Sequence, residues 1–159
     1  MKLLLGTAVF ASGCVTVNLG SKESKRASGV EVRVPALPFE KEARDDVDAA
    51  WKNPRTGNVI SYLSDCKDPS DPPLDQIVHG VLAGLSDLKY ESSKTESILG
   101  REGRRVHALG KVDGVPTGVD LLVFKRNNCI YVLSYVGVQS AFAKDQEEFN
   151  RFIEGFQAP

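Results

Sequence analysis

Apolar residues recur along the chain with two different periods. Leu74, Ile77, Val78, Val81, Leu82, Leu85 and Leu88 fall at three-, four- and seven-residue intervals. At 100° per residue they share one stripe about 140° wide, which predicts an amphipathic helix. Asp71 stands where an N-cap is wanted, with Pro72 and Pro73 in the first turn. A second helix is predicted from Asp145, where Asp145 and Glu148 have capping-box spacing and Phe149, Phe152, Ile153 and Phe156 form one face. Strand alternation is expected over residues 104–112, 115–125 and 129–138. Asp113-Gly114 and Asn127-Asn128 supply tight turns between these strands. Upstream, VEVRV (residues 30–34) reads as a strand. Residues 47–52 and 58–64 read as a hairpin around Asn53-Pro-Arg-Thr-Gly57. Residues 37–50 show no clear period. The fold class is α+β, a mainly antiparallel sheet of about five to six strands with two packed amphipathic helices.

The N-terminal pattern is different. Residues 3–10 are an apolar run behind Lys2, and the small residues Ala11-Ser12-Gly13 then lead to Cys14. The run is too short to span a bilayer, which needs about 20 apolar residues, and it reads as an export signal. The triplet before cysteine resembles a bacterial lipobox, with Ala11 in place of the usual leucine. An ordinary signal or a mis-set start codon is the other reading. The resemblance implies a signal peptide over residues 1–13 and lipid on Cys14. Because Val15 is not aspartate, it also implies the outer membrane, facing the periplasm. Residues 15–29 are small, polar and charged and read as a flexible tether reaching roughly 20–25 Å. A single domain is expected over residues 30–157.

Composition narrows the function classes. At 159 residues the chain supports one core. Its net charge of −1 conceals a basic N-terminus: without Lys2, Lys22, Lys25, Arg26 and Glu23, 16 basic and 20 acidic side chains remain. A mildly acidic domain lacks the dense basic face that nucleic acid needs. Nucleic acid is therefore not an expected partner.

The order of strands, helix, antiparallel meander and a closing FxxFIxxF helix resembles the PsbP-like α/β/α sandwich, named for a photosystem accessory protein. The phrases AWKNPRTGNVISYLSDC, LGREGRRVHALGKVDGVPTGVDLLVFKRNNCIYVLSYVG and FNRFIEGF also look like small bacterial envelope lipoproteins. That resemblance covers residues 47–156 and contains no catalytic signature. It implies an accessory or assembly role, although fold alone does not give function.

Several residues could carry chemistry. With Cys14 assigned to lipid, Cys66 and Cys129 are the remaining thiols, and in an exported domain they are expected to form a disulfide. Two buried free thiols are the alternative. Neither histidine is at ligand spacing from them, so no metal site is expected. If Asp113-Gly114 and Asn127-Asn128 are two-residue turns, His107 faces Asp120 and Asp120 faces Tyr135, a row across three strands. Such a row could bind a ligand or move a proton, or it could simply be a stabilising polar ladder. His79 falls on the solvated side of its helix. The glycines of GREGRR are followed by a strand, which excludes a P-loop. Arg101, Arg104, Arg105 and Lys111 could contact an anion or could protect a strand edge. Trp51 could anchor a partner or cap the core.

The expected function is a non-catalytic envelope lipoprotein without cofactor. It would be held to the membrane through Cys14 and would bind another envelope protein or a small amphiphile. The alternative is a periplasmic ligand carrier or enzyme using the His107/Asp120/Tyr135 face. A deep pocket along that row would favour the alternative, and a filled interior the binding module.

Overall fold

The computed structural model describes residues 25–66 and 70–159. Cys14, the signal segment and residues 15–24 lie outside the described residues. A seven-stranded antiparallel sheet is built from β1 (Glu40–Glu42), β2 (Ala49–Lys52), β3 (Val59–Asp65), β4 (Ser86–Ile98), β5 (Arg101–Val112), β6 (Val115–Arg126) and β7 (Cys129–Val138). The strand order is β1-β2-β3-β7-β6-β5-β4. Helix α1 (Leu74–Leu82) covers one face. The short α2 (Gln139–Phe142) and α3 (Gln146–Glu154) cover the other.

Seven strands exceed the expected five to six because the short β1 lies in the stretch without a clear period and β4 has no sequence signature. Its 13 residues are exposed on both faces except near its end, so no burial pattern marks it. The predicted first helix correspondingly ends at Leu82 rather than Leu88. Leu85 N–H closes onto the Leu82 carbonyl at 3.0 Å, and Leu88 belongs to β4. The Leu99-Gly100 turn, with φ of 50° and 72°, joins β4 to β5. Asp113-Gly114 (49° and 81°) and Asn127-Asn128 (49° and 61°) make the expected turns with positive φ at both positions.

The expected strand at 30–34 shrinks to one bridge, Glu31 with Gln157, because its backbone meets the C-terminal residues instead of a ladder. Both expected helix caps differ in detail. Pro73, not Asp71, is the N-cap of α1, and the Asp71 carboxylate takes Lys125 Nζ at 2.6 Å. Asp145 is the N-cap residue of α3 without a side-chain cap bond. Glu148 instead accepts from Ala36 N–H at 2.8 Å, so no capping box forms.

The folded part also starts before Val30. Arg26 donates to the Ser64 carbonyl (3.0 Å) and the Asp46 carbonyl (3.2 Å), and Ala27 N–H donates to Ser64 Oγ (2.8 Å). Residues 25–27, expected as tether, are thus fastened to the end of β3. At that end Cys66 and Cys129 form a disulfide with Cα atoms 4.0 Å apart. It continues the β3–β7 register one pair past Asp65–Ile130. A bridge closing so long a loop contributes about 2–4 kcal/mol.

Candidate functional site

The three hairpin-linked strands bring the predicted row together. His107 stands opposite Asp120 and Asp120 opposite Tyr135, on the face that carries α2 and α3. The partners within the row are not the ones that register alone suggests. Arg105 reaches diagonally to Asp120, with Nε to Oδ1 at 3.1 Å and a terminal nitrogen to Oδ2 at 3.0 Å. The same guanidinium donates to Asn150 Oδ1 of α3 at 2.6 Å and lies over the Phe149 ring at 5.8 Å. Gln146 Nε2 adds a long contact to Asp120 at 3.5 Å. Asp120 is 2% exposed, so this bidentate, charge-assisted pair holds a carboxylate that could not otherwise be buried. Burial works against the Arg105 charge, but the hydrogen bond and charge of Asp120 prevail and hold the guanidinium above its ordinary pKa range.

His107 is half-buried, its ring edge-on to Phe142 at 5.2 Å. Tyr135 is fully buried, packed on Phe142 (4.6 Å) and Phe149 (5.7 Å), and its hydroxyl donates to the Phe142 carbonyl. Desolvation, followed by the nearby Asp145 charge, pushes the phenol well above its usual pKa. The row therefore joins the sheet to α2 and α3. Asp120 and Tyr135 are both shielded from solvent.

A second polar centre, centred on Asp145, gave no recognisable sequence signal. Its carboxylate accepts from Asn53 Nδ2 (3.0 and 3.1 Å), Thr56 Oγ1 (2.6 Å) and Asn58 Nδ2 (2.7 Å). Asn58 Nδ2 also meets the Ala141 carbonyl at 3.0 Å. These bonds tie the β2–β3 turn to the start of α3. In sequence, Asn53 and Asn58 read only as turn residues, and their shared partner lies about 90 residues away. A Cβ at Gly137 would collide with the Asn58 amide, which explains a glycine at this point in β7.

The four basic residues do not form one patch. Arg104 and Arg105 are neighbours in a strand and so point to opposite faces. Arg104 pairs with Asp75 of α1 at 2.8 Å and donates to Thr95 Oγ1 at 3.1 Å. Arg101, Arg104 and Lys125 line an open groove beside Pro73 and Leu74, where Asp75 and Asp71 neutralise the last two cations. Lys111 pairs with Asp87 at the far end of β5, at 2.8 Å. His79 is exposed, with Nδ1 3.1 Å from the Tyr90 hydroxyl. Trp51 is 4% exposed and packs on Phe152 at 5.6 Å: it belongs to the core. Among the described residues, no group of three or more His, Cys, Asp or Glu side chains is placed to hold a metal. Among the same residues, no helix is long and apolar enough to cross a membrane.

An antiparallel sheet with helices on both faces defines an α/β/α sandwich. Solved structures identify its type as PsbP-like. Cyanobacterial PsbP (CyanoP) from Synechocystis sp. PCC 6803 is similar over 98% of this chain and 99% of its own, with a TM-score of 0.57 at 12% identity. LpqN, involved in cell envelope biogenesis of Mycobacterium tuberculosis, is similar over 82% of this chain and 83% of its own, with a TM-score of 0.61 at 12% identity. PA94 from Pseudomonas aeruginosa, a protein of unknown function described as a putative regulator, gives 0.51 at 10% identity, over 83% of this chain and 81% of its own. No protein-family model and no curated protein matches the sequence. At these identities the likeness concerns the fold.

Proposed function

We propose that the protein is a non-catalytic accessory module of the bacterial envelope, lipid-anchored through Cys14, which binds another envelope protein. The observation that carries this reading is the state of the polar row. Asp120 is 2% and Tyr135 0% exposed, and Arg105 and the Phe142 carbonyl occupy their polar atoms. A carrier or enzyme working on that face would need those groups open to a ligand. Apolar side chains are presented elsewhere: Leu37, 88% exposed, and Val34, 62% exposed, flank Pro35 in the loop before β1. Such residues suit protein contact.

The anchor rests on residues 1–14 of the sequence, and its point of entry into the domain is the disulfide-bearing end of β3. A diacylglycerol cysteine provides durable attachment, since each buried CH₂ contributes about 0.8 kcal/mol. Outer-membrane placement follows from Val15. The involvement of LpqN in cell envelope biogenesis is in line with an envelope address. In-cell crosslinking of the anchored chain is expected to recover one reproducible envelope protein. Co-purification of a bound small molecule without such a partner would overturn the accessory reading. For the anchor, palmitate labelling is expected for the wild type and lost in Cys14→Ala. An unlabelled wild type refutes it.

A further inference from the structure

Among the described residues the sheet ends on β4, whose outer edge has no neighbouring strand. Both helix layers pack mainly over β5, β6 and β7 or beyond, leaving β4 exposed on both faces apart from the His79 contact with Tyr90 and the buried Ile98 at its end. An antiparallel strand turns alternate backbone N–H and C=O groups outward, so this edge can accept a further strand. Its charges are Asp87, Lys89, Glu91, Lys94 and Glu96, of which Asp87 is taken by Lys111 of β5 at 2.8 Å. The register against β5 is regular from Ser92 to Ile98, slips between Tyr90 and Ser92, and leaves Glu91 as the extra residue of a bulge. By their β5 partners Leu109, Arg105 and Gly103, Lys89, Lys94 and Glu96 all lie on the α3 face. Glu91 joins them there, its carboxylate 2.6 Å from Lys89 Nζ.

We propose that β4 pairs antiparallel with β4 of a second copy of this chain, about a two-fold axis at Ser93. A two-fold axis in an antiparallel pair must bring each central residue against itself. Counting outward from Ser93, with the bulged Glu91-Ser92 taken as one position, Lys94 meets the second copy's Glu91-Ser92. Thr95 then meets Tyr90, and Glu96 meets Lys89. Two kinds of opposite-charge pair result, and symmetry makes each occur twice. Facing residues also share a sheet face, as strand pairing requires.

The neighbouring registers fail on charge. An axis at Lys94 sets Lys94 against itself and Glu96 against Glu91. An axis at the bulge sets Lys94 against Lys89. Like charges directly opposite one another are destabilising. The bulge is therefore what makes the pattern self-complementary: without the extra residue, Lys89 and Glu96 would lie on opposite faces. A protective edge would only need charge, whereas this edge has a charge order that selects one register and rejects both adjacent ones.

The test is sedimentation of the full chain in non-ionic detergent over a range of concentrations. A monomer–dimer equilibrium is expected. Lys94→Glu, which creates two like-charge pairs, should weaken it at least about tenfold. The exchange Glu91→Lys with Lys94→Glu should restore it to within about threefold. Ser93→Cys in a Cys14→Ser background should form a covalent dimer under mild oxidation, and Ser97→Cys should not. A chain that stays monomeric overturns the proposal. So does association indifferent to Lys94→Glu, as an apolar N-terminus would produce, or an exchange that fails to rescue. Equal crosslinking at positions 93 and 97 also overturns it.

Discussion

Arg104 and Arg105 are adjacent in β5 and belong to opposite halves of the molecule. Arg104 lies at the rim of the α1 face, above a core of Leu, Ile, Val and Ala. Arg105 reaches into the α3 face, whose core holds Trp51, Phe124, Tyr131, Tyr135, Phe142, Phe149, Phe152 and Phe156. By strand parity the aliphatic α1 face buries Ser61, Thr117 and, at the end of β3, Asp65. The aromatic face encloses Asp120, Asn53, Asn58 and the Tyr135 hydroxyl, most of their polar atoms bonded. Bidentate pairing makes the difference: a buried carboxylate is tolerable only when its partner is placed to meet both oxygens. The same residue type, one position apart, is thus dispensable on one face and structural on the other.

The strongest way to break this contrast is to truncate both arginines separately. Arg105→Ala leaves Asp120 buried and uncompensated and is expected to cost about 3–5 kcal/mol in urea unfolding. Arg104→Ala removes a half-exposed pair and should cost about 0–1 kcal/mol. Similar losses would erase the distinction between the faces. Next comes core truncation. Phe152→Ala should cost about 3–5 kcal/mol and Leu82→Ala about 2–5, with the aromatic site at the higher end of the shared range.

Alkali should act through the aromatic face. Burial raises the pKa values of Tyr62, Tyr131 and Tyr135 above 10.0. The folded protein then keeps protons that the unfolded chain releases. Stability is complete below about pH 10 and falls as pH rises above it, for Tyr135 by about 1.4 kcal/mol per pH unit until the folded phenol itself titrates. Tyr135→Phe should reduce the slope of chemical-denaturation stability against pH by one proton, and an unchanged slope would contradict the assignment. The smallest effect concerns Tyr131. Its hydroxyl is buried with no hydrogen-bond partner among the described residues, so Tyr131→Phe should shift the thermal midpoint little, and upward.

Legibility in the sequence followed the reach of each interaction. The β5–β6–β7 register was readable because two-residue turns with positive φ admit few alternatives, and that register placed His107, Asp120 and Tyr135 correctly. The pairing of Cys66 with Cys129 was readable from their number and context. β4 was not readable, since a strand uncovered on both faces has no alternation to display. VEVRV was over-read: its alternation is real, but only Glu31 found a backbone partner. The Asp145 centre was hidden because hydrogen bonds across about 90 residues leave no periodic trace.

By itself, the sequence determined the local geometry: where helices carry an apolar stripe, where turns reverse the chain, and which residues oppose one another across tight hairpins. Tertiary structure alone decided which neighbour Asp120 would take. His107 is directly opposite in the strand register, yet Arg105 has the longer reach and two parallel donors. Asn150 and Phe149 of α3 hold it over the carboxylate. Local rules specify backbone position, whereas the choice among competing side-chain partners depends on the element packed above them.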